Sequence, residues 1–300
     1  MAFAPLAAAL AGFRLVRARP QAVLVWAGVI FVGRLAGLML TTAISGPFMP
    51  ALDAAVNATP LNLQAVTVAY QQVAPGYLAG AALALPFFAV VFAAIYRAYL
   101  KPEDSRAFFL RLGAQEAAIL ALILALNLMV LVGLSFGAAV VALLASMIAT
   151  VDAAAGSLAE AVGLGALLAF VLWGVVRLSL AWPVSFRAAR PVLLRSWGLT
   201  RGHGWKLLSA YVIAEALMLV VGVLVLGICA SLSGAMLVAI GRPLDQLPDA
   251  LRPAMAVVEV FRPAPLLFSA FEALLLALSA TTLVGVAVSA LRSFAPQESL

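Results

Sequence analysis

The sequence predicts an all-α, polytopic transmembrane bundle of about six long helices, and three observations predict it. The chain is 66% apolar and only 10% charged, where soluble domains average roughly 45–50% and about 25%. No Asp, Glu, Lys or Arg occurs between Asp53 and Arg97, between Glu116 and Asp152, or between Glu215 and Arg242. Each of these runs exceeds the roughly 20 residues with which a helix crosses a ~30 Å hydrocarbon core. The runs are also apolar on every face, whereas barrel strands alternate between a lipid side and a polar lumen. Lipid is therefore the solvent, and residues 1–300 read as one integral membrane domain.

The elements follow in order. Phe3, Leu6, Leu10 and Phe13 recur at helical spacing, with Arg14, Arg17 and Arg19 after them. A cleavable signal places its positive charge first, so Ala2 to Val16 is expected to be a helix in the membrane surface, ended by Pro20. The expected spans are Gln21–Ser45, Gly76–Leu100, Gln115–Met147, Leu158–Phe186, Trp205–Ile240 and Pro265–Phe294. Several exceed the minimum length, so they must tilt, bend or protrude. Pro86 is the proline expected well inside a span.

Lys and Arg set the orientation. Arg14, Arg17, Arg19, Arg97, Lys101, Arg106, Arg111, Arg187, Arg190, Arg195, Arg201, Lys206 and Arg292 fall on one side, against Arg242, Arg252 and Arg262 on the other. The basic side is cytoplasmic under the positive-inside rule. The expected setting is a bacterial inner membrane with both termini inside.

A faint repeat accompanies this layout. Each odd span follows a basic, aromatic lead-in (FRLVRARP from Phe13, FFLRLGAQE from Phe108, VLLRSWGLTRG from Val192). Each even span ends in an arginine followed by a proline: Arg97–Pro102, Arg177–Pro183 and Arg292–Pro296. Three in-out-in hairpins would produce this pattern. So would the general attraction of membrane boundaries for Arg and Pro.

The stretch from Phe186 to Thr200 is the most amphipathic. On a continuous helix Phe186, Ala189, Leu193 and Trp197 share one face, while Arg187, Arg190 and Arg195 occupy the other. Pro191 must begin or kink a helix there. Gly202 and Gly204 allow a sharp turn into the next span, where Trp205 and Lys206 suit the interface. Arg187, Arg190, Arg195, Trp197, Arg201, Trp205 and Lys206 are accordingly the candidate contacts to anionic lipid headgroups.

The run RLSLAWP from Arg177 and SWGLTRGHGWKLL from Ser196, with RLGAQE from Arg111, resembles bacterial proteins that contain the membrane domain of glycerophosphoryl diester phosphodiesterases. The resemblance implies a six-helix membrane fold. Where members of that family are enzymes, a separate soluble domain performs the hydrolysis. The resemblance therefore implies no catalytic residue here.

The residues themselves supply no catalytic set. Metal-dependent hydrolysis needs clustered His, Asp and Glu ligands, and the one histidine, His203, lies in a Gly-His-Gly turn. No HExxH, CxxC or phosphate-cradling Gly-rich Lys-Ser/Thr loop occurs, and Cys229 is the single cysteine. The expectation is no enzyme, no cofactor and no metal. Nucleic acid is not an expected partner either, since the basic residues lie in short connections explained by topology.

Ionisable groups inside spans are the remaining exceptional residues: Arg34, Arg177, Glu215 and Glu272, with Glu116 near a span's end, where the helix dipole favours an anion. Intramembrane charge is costly and usually paired or functional. At 1.5 Å per residue, Arg34 and Glu272 reach similar depths, as do Arg177 and Glu215. The expected pairs are Arg34 with Glu272 and Arg177 with Glu215. The bland alternative for Arg177 is a side chain that snorkels to the interface. Gly33–Gly37, Gly76–Gly80 and Gly133–Gly137 have the spacing that lets helices approach closely, a spacing that also arises by chance in a chain with 22 glycines. Two functions stay open: a non-catalytic module that organises lipids or unidentified partner proteins, and a small-molecule or lipid permease.

Overall fold

A computed structural model describes residues 3–59, 62–239 and 260–294. The described residues are overwhelmingly helical and contain no strand, and six helices are long and apolar enough to cross a membrane. The protein is an integral, multi-pass membrane protein. Short helices α1 (Pro5–Ala9) and α2 (Ala11–Ala18) precede α3 (Pro20–Ser45), α4 (Met49–Val56) and α5 (Leu63–Leu100). Then come α6 (Ala114–Ala149), α7 (Ala153–Leu178), α8 (Ala181–Ala188), α9 (Leu194–Leu199), α10 (Gly204–Ala239) and α11 (Pro263–Phe294). Arg242, Asp245, Asp249, Arg252, Glu259 and Pro296 lie outside the described residues. The chain divides into two compact units, one of Met1–Ala11, Arg111–Ile213 and Gly285–Leu300, the other of Gly12–Leu110 and Ala214–Val284.

In the second unit α3 and α5 form a tight antiparallel hairpin, and glycine makes it tight. A Cβ on Gly37 would strike the Gly80 carbonyl, one on Gly33 the Phe87 ring, and one on Gly76 the Ser45 side chain. The Gly33–Gly37 and Gly76–Gly80 motifs thus lie on opposing faces of one interface, where small residues let backbones approach. Close approach permits two bonds between helices: Ser45 Oγ donates to the Val73 carbonyl at 2.6 Å, and Thr41 Oγ1 to the Gly76 carbonyl at 3.1 Å.

Those bonds bracket Pro75, and here the expected span needs correcting. The second long helix begins at Leu63, not Gly76, and carries Pro75 as well as Pro86 inside it. Pro75 removes the N–H that would serve the Gln71 carbonyl; the α3 hydroxyls bond to the Val73 and Gly76 carbonyls and so tie α5 to α3 on either side of the proline. Asn62 caps the start by accepting from Ala65 N at 3.1 Å.

The amino-terminal surface helix also differs from expectation. It is two helices broken at Leu10, and Pro20 opens α3 rather than merely closing what precedes it. Proline suits that first helical position because its missing N–H would have no partner there.

In the first unit α6 and α7 pair. Asp152 Oδ1 accepts from Ala154 N at 2.8 Å to start α7, and Gly137 and Gly163 receive Leu167 and Val141 across the hairpin. Gly133 meets nothing within 4 Å, so only half of the third small-residue motif is used. The fourth span is not one helix to Phe186. It stops at Leu178 and restarts as α8, because Pro183 cannot donate back to the Ser179 carbonyl.

Candidate functional site

Arg34 and Glu272 meet in the second unit. Arg34 stands about 21 Å along α3 from Pro20 and Glu272 about 14 Å along α11 from Pro263. Arg34 Nη2 lies 2.5 Å from Glu272 Oε2, with 34% and 37% of the two side chains exposed. Neighbouring Gly33 turns its bare face to Phe87 on α5. Arg34, about 100° further round the helix, projects to α11 instead. The pairing leaves neither charge isolated, where each alone would carry a desolvation cost of several kcal/mol. Arg34 Nε stays buried without a partner.

One turn nearer the start of α3, a groove of about 360 Å³ runs between the two helices. Leu24, Ala27, Gly28 and Phe31 line one wall, and Leu267, Ala270, Phe271 and Leu274 the other. Every lining residue is apolar, and nothing lies within 4 Å of a Cβ built on Gly28.

Arg177 and Glu215, the second expected pair, fall in different units of the chain. Within its own unit Arg177 has Thr200, Trp197 and Ser196 as partners. Arg177 Nη1 donates to the Thr200 carbonyl at 2.5 Å, and the guanidinium lies over the Trp197 ring, 4.7 Å from its centroid. In return Ser196 Oγ donates to the Arg177 carbonyl at 2.8 Å. A hydrogen bond from a charged donor is shorter and stronger than one between neutral groups. The shape is that of the snorkelling alternative, but the acceptor is backbone.

The second unit repeats the device. Arg97, buried near the end of α5, donates through Nη1 to the Phe109 carbonyl. Trp26 Nε1 donates to the adjacent Phe108 carbonyl at 2.9 Å, and Arg19 stacks over the Phe109 ring at 4.7 Å. Ala107, Phe108 and Phe109 all have positive φ (48°, 55° and 68°), a conformation costly for non-glycine residues. The carbonyls of Phe108 and Phe109 are held in place from outside the loop. Sequence reasoning did not single out Arg97 as a latch, although its Arg-before-Pro pattern pointed to it.

The candidate headgroup residues surround the Arg177 latch. Arg187, Arg190, Arg195, Arg201 and Lys206 are exposed, and so are Trp197 (47%) and Trp205 (76%). Trp205 rests on Trp173 at 5.1 Å between ring centroids, with Gly204 allowing the approach. Gly202 makes the turn at φ 77°. His203 stacks on Phe294 at 4.4 Å and is a packing residue of this turn.

The chain breaks around Pro191, where a helix start or kink was expected, but the single apolar face drawn through Phe186, Ala189, Leu193 and Trp197 is corrected. Ala189 closes α8 in the left-handed region (φ 51°), and α9 starts only at Leu194. Pro191 disfavours helical geometry in the residue before it, so a single helical projection does not apply across the break. Phe186 consequently points inward and is fully buried, its carbonyl accepting from Gln115 Nε2 at 3.4 Å. Glu116 is buried in the first turn of α6, the position where the helix dipole favours an anion. Set against protein-family models, curated proteins and solved structures, the chain matches none of them.

Proposed function

We propose that this protein is a non-catalytic membrane module that gathers anionic lipids at its cytoplasmic face, in a bacterial inner membrane with both termini inside. One observation carries the reading. Five exposed cations and two exposed indoles lie between Arg187 and Lys206, on a segment tied to the end of α7 by the Arg177–Thr200 latch. Indoles favour the headgroup level, and each basic side chain near an anionic surface contributes about 1 kcal/mol. The resemblance to the membrane domain of glycerophosphoryl diester phosphodiesterases fits a module that faces headgroups and leaves hydrolysis to a separate domain. The permease alternative needs a polar path to the intramembrane charges. The groove beside Arg34 and Glu272 has apolar walls, which favours the module.

The test is lipid retention. The full chain is reconstituted in nanodiscs of equimolar phosphatidylglycerol and phosphatidylcholine, and retained lipids are measured by native mass spectrometry. Enrichment of phosphatidylglycerol that falls several-fold in the Arg187→Gln/Arg190→Gln/Arg201→Gln/Lys206→Gln variant is expected. Equal retention of both lipids by the parent protein would refute the reading.

A further inference from the structure

Two features of the membrane-spanning surface are incomplete in complementary ways. Glu215 is exposed on α10 and has no partner among the described residues. It stands about 15 Å beyond Trp205, deep in the hydrocarbon region, where an isolated acid is expensive. It also sits within an apolar ridge, since Leu208, Val212, Glu215 and Leu219 recur at spacings of three and four along one face. Val212 and Leu219 are exposed as well.

The other feature is the groove between α3 and α11. Its walls are apolar, Gly28 leaves open space, and Arg34 lies one turn beyond Phe31. Arg34 spends Nη2 on Glu272 and keeps Nε buried without a partner, while a third of its side chain is exposed and its five-donor guanidinium can serve a second carboxylate through Nη1.

We infer that this chain self-associates, the α10 ridge of one copy seating in the α3/α11 groove of a second and bringing Glu215 to Arg34. The match is one of depth, polarity and direction. Glu215 at about 15 Å and Arg34 at about 21 Å lie within reach of two long side chains. As the first and fifth of six crossings, α3 and α10 run the same way across the membrane. Val212, below Glu215, then falls beside Gly28 and Phe31. A second copy is the occupant because one sequence supplies both halves, a ridge with a surplus acid and a groove with surplus donors. The joined surfaces differ, so the contact is heterologous unless two copies make it reciprocally about a two-fold axis. This association is independent of the headgroup surface proposed above.

Disulfide trapping in native membranes tests it. Full-length chains carrying Cys229→Ser with Gly28→Cys are co-expressed with chains carrying Cys229→Ser with Val212→Cys, under mild oxidation. A parallel culture replaces Val212→Cys with Leu168→Cys, on an exposed position of α7, to report random collision. The expected result is a mixed dimer several-fold more abundant for Gly28/Val212 than for Gly28/Leu168, and several-fold reduced when Glu215→Ala is added. Monodispersity and melting temperature confirm that each variant is folded. Equal trapping of the two pairs, no trapping, or trapping indifferent to Glu215→Ala in folded protein would overturn the proposal. So would native mass spectrometry of monomers holding lipid that Gly28→Leu displaces.

Discussion

Arg177 and Thr200 grip each other in both directions. The guanidinium donates to the Thr200 carbonyl at 2.5 Å, and the Thr200 hydroxyl reaches the Arg177 carbonyl at 3.2 Å. Arg97 and Phe109 reproduce the first half of this arrangement at the end of the preceding hairpin. Arg97 and Arg177, which close two of the even-numbered spans, thus each tie down the segment that leads into the next odd one.

Arg177→Ala should destabilise the protein by about 2 kcal/mol, the loss of a charged hydrogen bond to a buried carbonyl. Arg97→Ala should cost a similar amount. The two bonds lie in separate units, so their effects should add within about 0.5 kcal/mol. Reversible unfolding in mixed micelles measures all three; strong non-additivity would show that the latches act as one.

Arg34 and Glu272 should not behave additively. Either alanine variant strands a charge in the membrane interior and should cost about 3–5 kcal/mol, discounted for the exposed third of each side chain. Removing both should cost less than the sum. A double-mutant cycle that closes at zero would mean that the pair adds nothing to stability.

Glycines should divide by what faces them. Gly37→Val and Gly80→Val force α3 and α5 apart and should each destabilise by about 1–3 kcal/mol. Gly133→Ala meets open space and should be neutral or stabilising by up to about 1 kcal/mol, through helix propensity. Thermal melts in detergent separate the two classes, and a Gly80→Val variant as stable as its parent would contradict the packing.

Topology can be read by labelling. Single cysteines at Ser105 and Asn57, in a Cys229→Ser background, should be accessible from opposite sides. An impermeant maleimide added outside spheroplasts should label the Asn57 site and spare Ser105. The reverse pattern would invert the bundle.

Membership of the lipid phase, the approximate spans and the depths of Arg34 and Glu272 were legible in the sequence by itself. All three depend on the length and polarity of continuous runs, which are one-dimensional properties. Which helices are neighbours was not legible, because depth along a helix says nothing about the direction in which a side chain points. That is why depth arithmetic alone could not show that Arg34 turns to Glu272, or that Arg177 turns to the Thr200 carbonyl. The start of α5 at Leu63, ahead of Pro75, was hidden as well, since the Thr41 and Ser45 hydroxyls that tie this stretch down come from another helix. The inward turn of Phe186 followed from a backbone break at Ala189 that no periodicity records. Tertiary structure decided these points because each turns on a polar group finding its partner far away in the chain, where hydrocarbon offers no water to take its place.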